Sequence, residues 1–245
     1  MKGFSFFFGV LLFTVVSAYN AAAQTELTTD EAQFLANNPG LVIQNFSSAI
    51  VSPGNAISCF SPVDATNSDC FNPGDILPGI LFQNGPVPTD FGLSVAGPNA
   101  AGNTNPVNVL ITTLFSDDFE IVFPSGNVRA AGIHAGCMFD FSGPCSIVYE
   151  VRVLGVGDTI LAATDLLVSD QFDTFIGVNS SEVITKIVLV NLGGESFKGV
   201  SEVFFPVAVE TANIPTLSEW GMIAAAAGFA LVGMFYAMRK RRASA

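Results

Sequence analysis

The chain has 245 residues, of which 50% are hydrophobic, and it carries 21 acidic against nine basic side chains. Five of the basic residues lie near the two ends, so residues 24–213 hold four basic and twenty acidic residues, a formal charge of −16. Nucleic acid is excluded as a partner, because binding to phosphates needs a basic surface. The roughly 190 residues between the ends suffice for one domain with a substantial core.

Residues 1–23 are predicted to be a signal peptide. Lys2 supplies the positively charged N-terminal region of a signal peptide. The apolar stretch over residues 4–16 is shorter than a typical transmembrane helix. Three alanines at 21–23 precede Gln24, which fits the small-x-small rule for signal peptidase, and a cut after Ala18 is the alternative. We therefore expect the mature protein to begin near residue 24 and to be exported.

A short helix is predicted over residues 29–37. Thr29 or Asp30 can cap its N-terminus, and acidic residues occupy its first turn. An Asn-Pro-Gly sequence at 38–40 ends it, and no helical period recurs before the C-terminal segment.

Strand patterns divided by Gly, Pro and Asn follow this helix. The clearest is at 147–154, where Tyr149 and Val151 alternate with Glu150 and Arg152. An interruption between two strands is predicted at residues 136–137. Residues 47–108 are expected to be rich in loops and to form the most irregular part of the domain. Strands at this spacing predict an all-β domain, a β-sandwich over residues 24–213. The predicted strands are 41–46, 80–82, 91–95, 107–115, 119–123, 129–135, 138–141, 147–154, 159–168, 172–178, 183–190 and 203–209.

The four cysteines predict two disulfides in an oxidising compartment. They are Cys59, Cys70, Cys137 and Cys145. Four cysteines allow three pairings, and we favour the one with the shortest loops, 59 with 70 and 137 with 145. A zinc site built from all four is disfavoured, because no Cys-x2-Cys spacing occurs.

Catalytic chemistry has little support in the sequence. His134 is the only histidine, which excludes zinc sites built on several histidines. It lies in a predicted strand, and the chain has no Gly-x-Ser-x-Gly motif for a nucleophile. We interpret His134 as a satisfied sheet residue and predict that the protein is not an enzyme.

Carboxylates are densest at 117–120 and at 165–173, and neither group matches an EF-hand loop. Two interpretations remain open for them. One is a solvated acidic edge or loop; the other is a calcium site, for which Asp170 and Asp173 are the candidate ligands.

Aromatic content limits the kinds of sugar site that the domain can carry. Residues 24–213 contain no tryptophan and a single tyrosine, Tyr149, on a strand with a core pattern. Sugar platforms stack on exposed Trp or Tyr rings, so a stacked, cellulose-type surface is excluded. A loop site that binds by hydrogen bonds, with or without calcium, remains open.

Residues 220–238 contain neither a charged residue nor a proline. Nineteen helical residues extend about 28 Å, close to the hydrocarbon thickness of a bilayer, which predicts one transmembrane helix. Trp220 stands where an interfacial aromatic anchor is expected, and a basic tail at 239–242 places the C-terminus in the cytoplasm. The basic residues of this membrane stop are Arg239, Lys240, Arg241 and Arg242.

A short motif, residues 214–221, leads directly into this span. Its fixed positions are Ile214, Pro215, Thr216, Leu217, Trp220 and Gly221. The motif resembles the bacterial IPTL-type C-terminal sorting signal, a relative of the PEP-type signals that exosortases handle. The resemblance implies that a membrane-embedded cysteine transpeptidase recognises the segment 214–245 at the inner membrane and removes it. The protein would then pass to the cell surface or extracellular matrix.

The domain itself resembles the jelly-roll, galactose-binding-like domains of exported proteins. The resemblance lies in residues 34–46 at the start and in residues 175–187 and 203–205 at the close. Where that family often has an acid pair in the closing strand, this chain has Ser201-Glu202, and Asn45 stands where Asp is usual. The resemblance implies that the domain is a jelly-roll β-sandwich.

Two functions follow from these expectations. The first is a non-enzymatic structural or adhesive role at the cell surface or in a biofilm matrix. The alternative is a calcium-dependent carbohydrate-binding module whose partner is an extracellular polysaccharide.

Overall fold

Two antiparallel β-sheets pack face to face around an apolar core, which confirms the predicted all-β sandwich. The computed structural model describes residues 24–59, 62–66, 69–85, 92–139, 144–190, 192 and 196–207. Among these residues, no helix is both long and apolar enough to cross a membrane. The predicted signal peptide, sorting motif, membrane span and basic tail lie outside the described residues.

The described part contains one α-helix, α1 (Glu31–Asn37), and fourteen strands. The strands are β1 (Thr25–Thr28), β2 (Leu41–Asn45), β3 (Ala56–Ser58), β4 (Val63–Asp64), β5 (Leu81–Gly85), β6 (Leu93–Ala96), β7 (Val109–Thr112), β8 (Asp118–Val122), β9 (Ala130–Met138), β10 (Ser146–Leu154), β11 (Ile160–Ser169), β12 (Thr174–Ser180), β13 (Lys186–Val190) and β14 (Phe197–Pro206).

The strands divide into two sheets, which we call sheet A and sheet B. Sheet A has the order β1-β12-β9-β14-β7-β6-β3, and β2 also pairs with β14. Sheet B has the order β11-β10-β13-β8-β5-β4. The chain crosses repeatedly between the sheets, so the core is built from residues that are distant in sequence.

Strand β14 changes its neighbour halfway along its length. Gly199 and Val200 pair with β7, whereas the residues from Glu202 onward pair with β2. On its other side, β14 pairs with β9 throughout, with a register shift at Ser201 between Val200 and Glu202. A Cβ atom at Gly199 would overlap the carbonyl oxygen of Leu110, so this close approach of β14 to β7 requires glycine.

Helix α1 begins at its predicted cap and docks on the outer face of sheet A. The Asp30 carboxylate accepts a hydrogen bond from the backbone N–H of Gln33 at 2.9 Å. Phe34 is buried in a cluster with Phe175 and Phe204, separate from the main core. A Cβ atom at Gly177 would lie 2.7 Å from the Phe34 ring, so a glycine in β12 makes room for the helix.

Three features of the strands differ from the sequence expectations. The break predicted at Gly136 is wrong, because β9 runs without interruption from Ala130 to Met138. The closing strand begins at Phe197 rather than at residue 203. The short strands β1, β3 and β4 were not predicted, because two to four residues carry too little alternation to be recognised.

Both cysteine pairs form disulfides in the favoured pairing. Cys59 is bonded to Cys70 with a Cα–Cα distance of 5.1 Å, and Cys137 to Cys145 with 6.1 Å. All four cysteines are buried in the main core. The first disulfide therefore anchors the irregular segment after β3, and the second ties the end of β9 to the start of β10.

Candidate functional site

A pocket of about 300 Å³ opens where β14 exchanges β7 for β2. We call it the bulge pocket, because the register shift of β14 at Ser201 lies in its wall. Bulges interrupt the ladder of a sheet and often lie beside functional sites. The lining residues are Asn45, Phe46, Ser47, Pro106, Val107, Asn108, His134, Gln171, Phe172, Asp173, Ser201 and Glu202.

Four strands contribute one residue each to a row that crosses sheet A at this pocket. Phe175 of β12 is in register with His134 of β9, which is in register with Glu202 of β14. Glu202 is in turn in register with Asn45 of β2. The fold thus brings together Asn45 and Glu202, which lie at the two positions where this chain departs from the pattern of the jelly-roll family.

His134 is held between two carboxylates and two aromatic rings. Its Nε2 lies 3.1 Å from an oxygen of Glu31 in α1, and its Nδ1 lies 3.1 Å from an oxygen of Glu202. Phe175 and Phe204 meet its ring edge-on, at centroid distances of 5.6 and 5.5 Å. The Nε2 contact with Glu31 is a hydrogen bond, and Glu202 lies within ion-pair distance of Nδ1, so His134 is a partnered residue of strand β9, as predicted.

Local hydrogen bonds fix the rim of the pocket. The side-chain oxygen of Asn45 accepts hydrogen bonds from the backbone N–H of Ser47 at 3.2 Å and from its hydroxyl at 2.7 Å. From the opposite rim, the Asn108 side-chain amide donates to the carbonyl of Phe46 at 3.0 Å. These hydrogen bonds hold the segments at Asn45–Ser47 and Asn108 against each other at the pocket.

A strained residue forms part of the pocket wall. Phe172 has a φ of +57°, a left-handed conformation that is uncommon for a bulky residue. The hydroxyl of Ser201 donates to the Phe172 carbonyl at 2.8 Å, and the Phe172 ring covers Gly136, where a Cβ atom would overlap it. Backbone strain of this kind is found at functional sites, which points to this pocket as the candidate site.

The two predicted calcium ligands have different surroundings. Asp170 is buried, and one of its oxygens accepts hydrogen bonds from the backbone N–H and the hydroxyl of Thr104, at 2.8 and 2.7 Å. Asp173 is exposed at the bulge pocket. Across the described residues, no group of three or more His, Cys, Asp or Glu is placed to hold a metal ion. The hydrogen bonds of Asp170 with Thr104 anchor the loop before β7.

Replacing Asp170 by Asn is expected to lower the free energy of unfolding by about 2 kcal/mol, because a buried charged acceptor is lost. Asp173→Asn is the control, with an expected change within about 0.5 kcal/mol at an exposed site. Denaturant unfolding, with and without added calcium, measures both. A loss for Asp170→Asn that appears only with calcium would instead identify Asp170 as a metal ligand.

The acidic group at 117–120 is also engaged in the fold. Asp117 is buried and accepts a hydrogen bond from the Asn84 side-chain amide at 2.9 Å. Glu120 is buried, lies 3.2 Å from the Lys186 amine, and accepts a hydrogen bond from Gln83 at 2.7 Å. These contacts favour structural roles for both carboxylates.

A second group of titratable residues lies inside the sandwich. Lys198 is fully buried, and its amine donates to the carbonyl of Phe115 at 2.6 Å and lies 5.7 Å from the centre of the Tyr149 ring. Burial lowers the pKa of Lys198 from 10.5 to about 8, and the charges of Asp118 and Asp117 offset part of this effect. Burial also raises the pKa of Tyr149, whose hydroxyl hydrogen-bonds with that of Ser196 at 2.7 Å.

The bulge pocket offers amide, hydroxyl and carboxylate groups, and its one imidazole lies between two carboxylates. Sequence patterns did not reveal the pocket, since its walls come from five separate segments. The chain matches no family model, no curated protein and no solved structure in comparisons with known proteins.

Proposed function

We propose that the protein is exported, processed at its IPTL-type C-terminal signal, and has a non-enzymatic structural or adhesive role at the cell surface or in the extracellular matrix. The observation that carries this proposal is the pair of disulfides within the sandwich. Disulfides persist in oxidising compartments outside the cytosol. The predicted signal peptide and the motif, span and basic tail at the other end supply a route to such a compartment.

The domain is proposed to be a jelly roll. Eight strands, β7 to β14, support this topology by their order. They lie as β7-β14-β9-β12 in sheet A and β8-β13-β10-β11 in sheet B. The first strand is thus next to the last, and the second next to the seventh, as in a double-sheet jelly roll.

The non-enzymatic role is supported by the state of the most reactive side chains. His134 lies between the carboxylates of Glu31 and Glu202, and the four cysteines are oxidised in pairs. The proposed partners are signal peptidase, an exosortase-type transpeptidase and the inner membrane before processing.

Fractionation of the producing cells tests this proposal. Wild type is expected in the surface or matrix fraction, open to protease added to intact cells. A variant with Ile214→Ala and Pro215→Ala is expected to remain in the inner-membrane fraction. Deletion of the gene should lower cell cohesion, and wild type, but not the variant, should restore it. Wild type confined to the inner membrane, or cohesion unaffected by the deletion, would contradict the proposal.

The alternative function is calcium-dependent carbohydrate binding at the bulge pocket. It is favoured by the amide and carboxylate groups there, which are the groups that bind sugar hydroxyls and calcium. A glycan array with and without chelator is the test, with Asp173→Asn as the variant and Asp165→Asn as the exposed control. Chelator-sensitive binding that only Asp173→Asn removes would favour this alternative, and no binding above background would reject it.

A further inference from the structure

The edges of the two sheets differ greatly in length. In sheet A, the described edge strands β1 and β3 have four and three residues, and β2, which pairs only with β14, has five; in sheet B the edge strand β4 has two. Strand β11, at the other edge of sheet B, has ten residues and pairs only with β10 among the described strands. It therefore offers a row of backbone N–H and C=O groups about 33 Å long to a further strand.

Exposed apolar side chains concentrate at this edge. The described residues include nine large hydrophobic side chains that are exposed, and four of them belong to the β10–β11 hairpin. Leu167 is 63% exposed, and Val148, its partner across the two strands, is 43% exposed. Ile160 and Val156, at the turn of the hairpin, are the other two. Leu167 and Val148 thus form an exposed apolar pair at one end of the hairpin, and Ile160 and Val156 lie at the other end.

Charge indicates which partner suits this edge. Strand β11 has one charged residue, Asp165, and lacks the lysines and prolines that usually protect edge strands from pairing. Asp165 lies opposite Glu150, whose carboxylate pairs with Arg152 at 2.7 Å. Two copies of a domain with a charge of −16 repel each other over most of their surface. With one charged residue in ten, β11 is a low-charge part of that surface, to which a second copy can approach.

We propose that β11 pairs antiparallel with β11 of a second copy, which joins two sandwiches into a dimer. A two-fold axis through Thr164 keeps the outer faces of both sheets on the same side. It also places Asp165 opposite Ala163 of the partner subunit, which avoids like charges directly opposite each other. Such a contact is isologous, so assembly stops at two copies.

Sedimentation equilibrium of the protein purified from its producing cells tests the dimer. Wild type is expected at twice the chain mass, with Leu167→Lys weakening the dimer at least about tenfold. Ile43→Lys, at a side chain of similar exposure on β2 of sheet A, is the control and should leave the dimer intact. Monomeric wild type, as expected if another part of the chain covers the edge, would overturn the proposal. An unchanged dimer for Leu167→Lys would overturn it too.

A cysteine placed on the axis gives an independent test. Directly opposed residues of antiparallel strands have Cβ atoms about 4.5–5.5 Å apart, near the range that a disulfide spans. Thr164→Cys is therefore expected to give a disulfide-linked dimer on non-reducing electrophoresis. Ser169→Cys, at the end of the same strand, should remain a monomer on the gel, because its two copies would lie far apart. Equal cross-linking of both variants would rule out the proposed axis.

Discussion

The free energy of unfolding of the wild-type protein is expected to rise by roughly 2–3 kcal/mol between about pH 8 and pH 10. The Lys198→Met variant is expected to lose this rise. At pH 7 it should also be more stable than wild type by about 2 kcal/mol, because it no longer buries a charge. The lost hydrogen bond to the Phe115 carbonyl offsets part of that gain.

The direction of this effect follows from proton binding. Folded Lys198 releases its proton near pH 8, whereas an unfolded lysine does so near pH 10.5. Between these values the unfolded state binds more protons, so stability rises with pH. Tyr149 acts in the opposite direction above about pH 10, because burial raises its pKa when the protein is folded. The informative range therefore ends near pH 10.

Denaturant unfolding at pH 7, 8, 9 and 10, followed by circular dichroism, measures the effect. The difference in the free energy of unfolding between wild type and Lys198→Met gives the contribution of this one lysine at each pH, because the other titrating groups are common to both proteins. Lys186→Met is the matched control, since Lys186 is partly exposed and paired with Glu120, and its loss should leave the rise with pH in place. The same pH profile in wild type and Lys198→Met would contradict the assignment.

Loss of the two disulfides is the second large effect. Replacing Cys137 and Cys145 by Ala is expected to lower the free energy of unfolding by about 2.5 kcal/mol, and replacing Cys59 and Cys70 by about 3 kcal/mol. The sequence separations of 8 and 11 residues set these values, because a longer loop loses more entropy on closure. The combined loss approaches the whole stability of many domains, so an oxidising compartment would be a condition for folding.

Thermal unfolding with and without a reducing agent measures this contribution. The reducing agent should lower the melting temperature of wild type and leave that of the variant with all four substitutions unchanged. Each double variant should respond with an intermediate shift. A melting temperature of wild type that is insensitive to reductant, under conditions that reduce both bonds, would show that the disulfides do not stabilise the fold.

The fold class could be read from the sequence because its signals are local. The alternation at 147–154 predicts strand β10, and Asp30 at the start of an apolar helical pattern predicts α1. Short spacing and flanking turn residues likewise favour the observed cysteine pairing. In each case the residues that carry the pattern are neighbours in the chain.

The errors arise where distant contacts outweigh the local pattern. The sequence pattern predicts that the strand is interrupted at Gly136. In the structure Gly136 lies inside β9, because the Phe172 ring occupies the space that a side chain would need. Gly199 hides the first half of β14 for a similar reason, the close approach of Leu110. A glycine inside a strand thus marks a close approach as often as an end.

The bulge pocket could not be derived from the sequence, since it depends on the exchange of β7 for β2 along β14. The sequence indicates only some of its residues. The resemblance to jelly-roll domains singles out Asn45 and Ser201-Glu202, and the acidic group at 165–173 includes Asp173. The register that aligns His134, Glu202 and Asn45 is a property of three strands far apart in the chain.

The most direct test of the proposed sorting is the intact mass of the protein recovered from cells and medium. It is compared with the variant carrying Ile214→Ala and Pro215→Ala. Loss of the segment beginning near residue 214 in wild type, with the full tail retained in the variant, is the expected result. A full-length tail in both proteins would mean a plain membrane anchor, and the proposed sorting would be wrong.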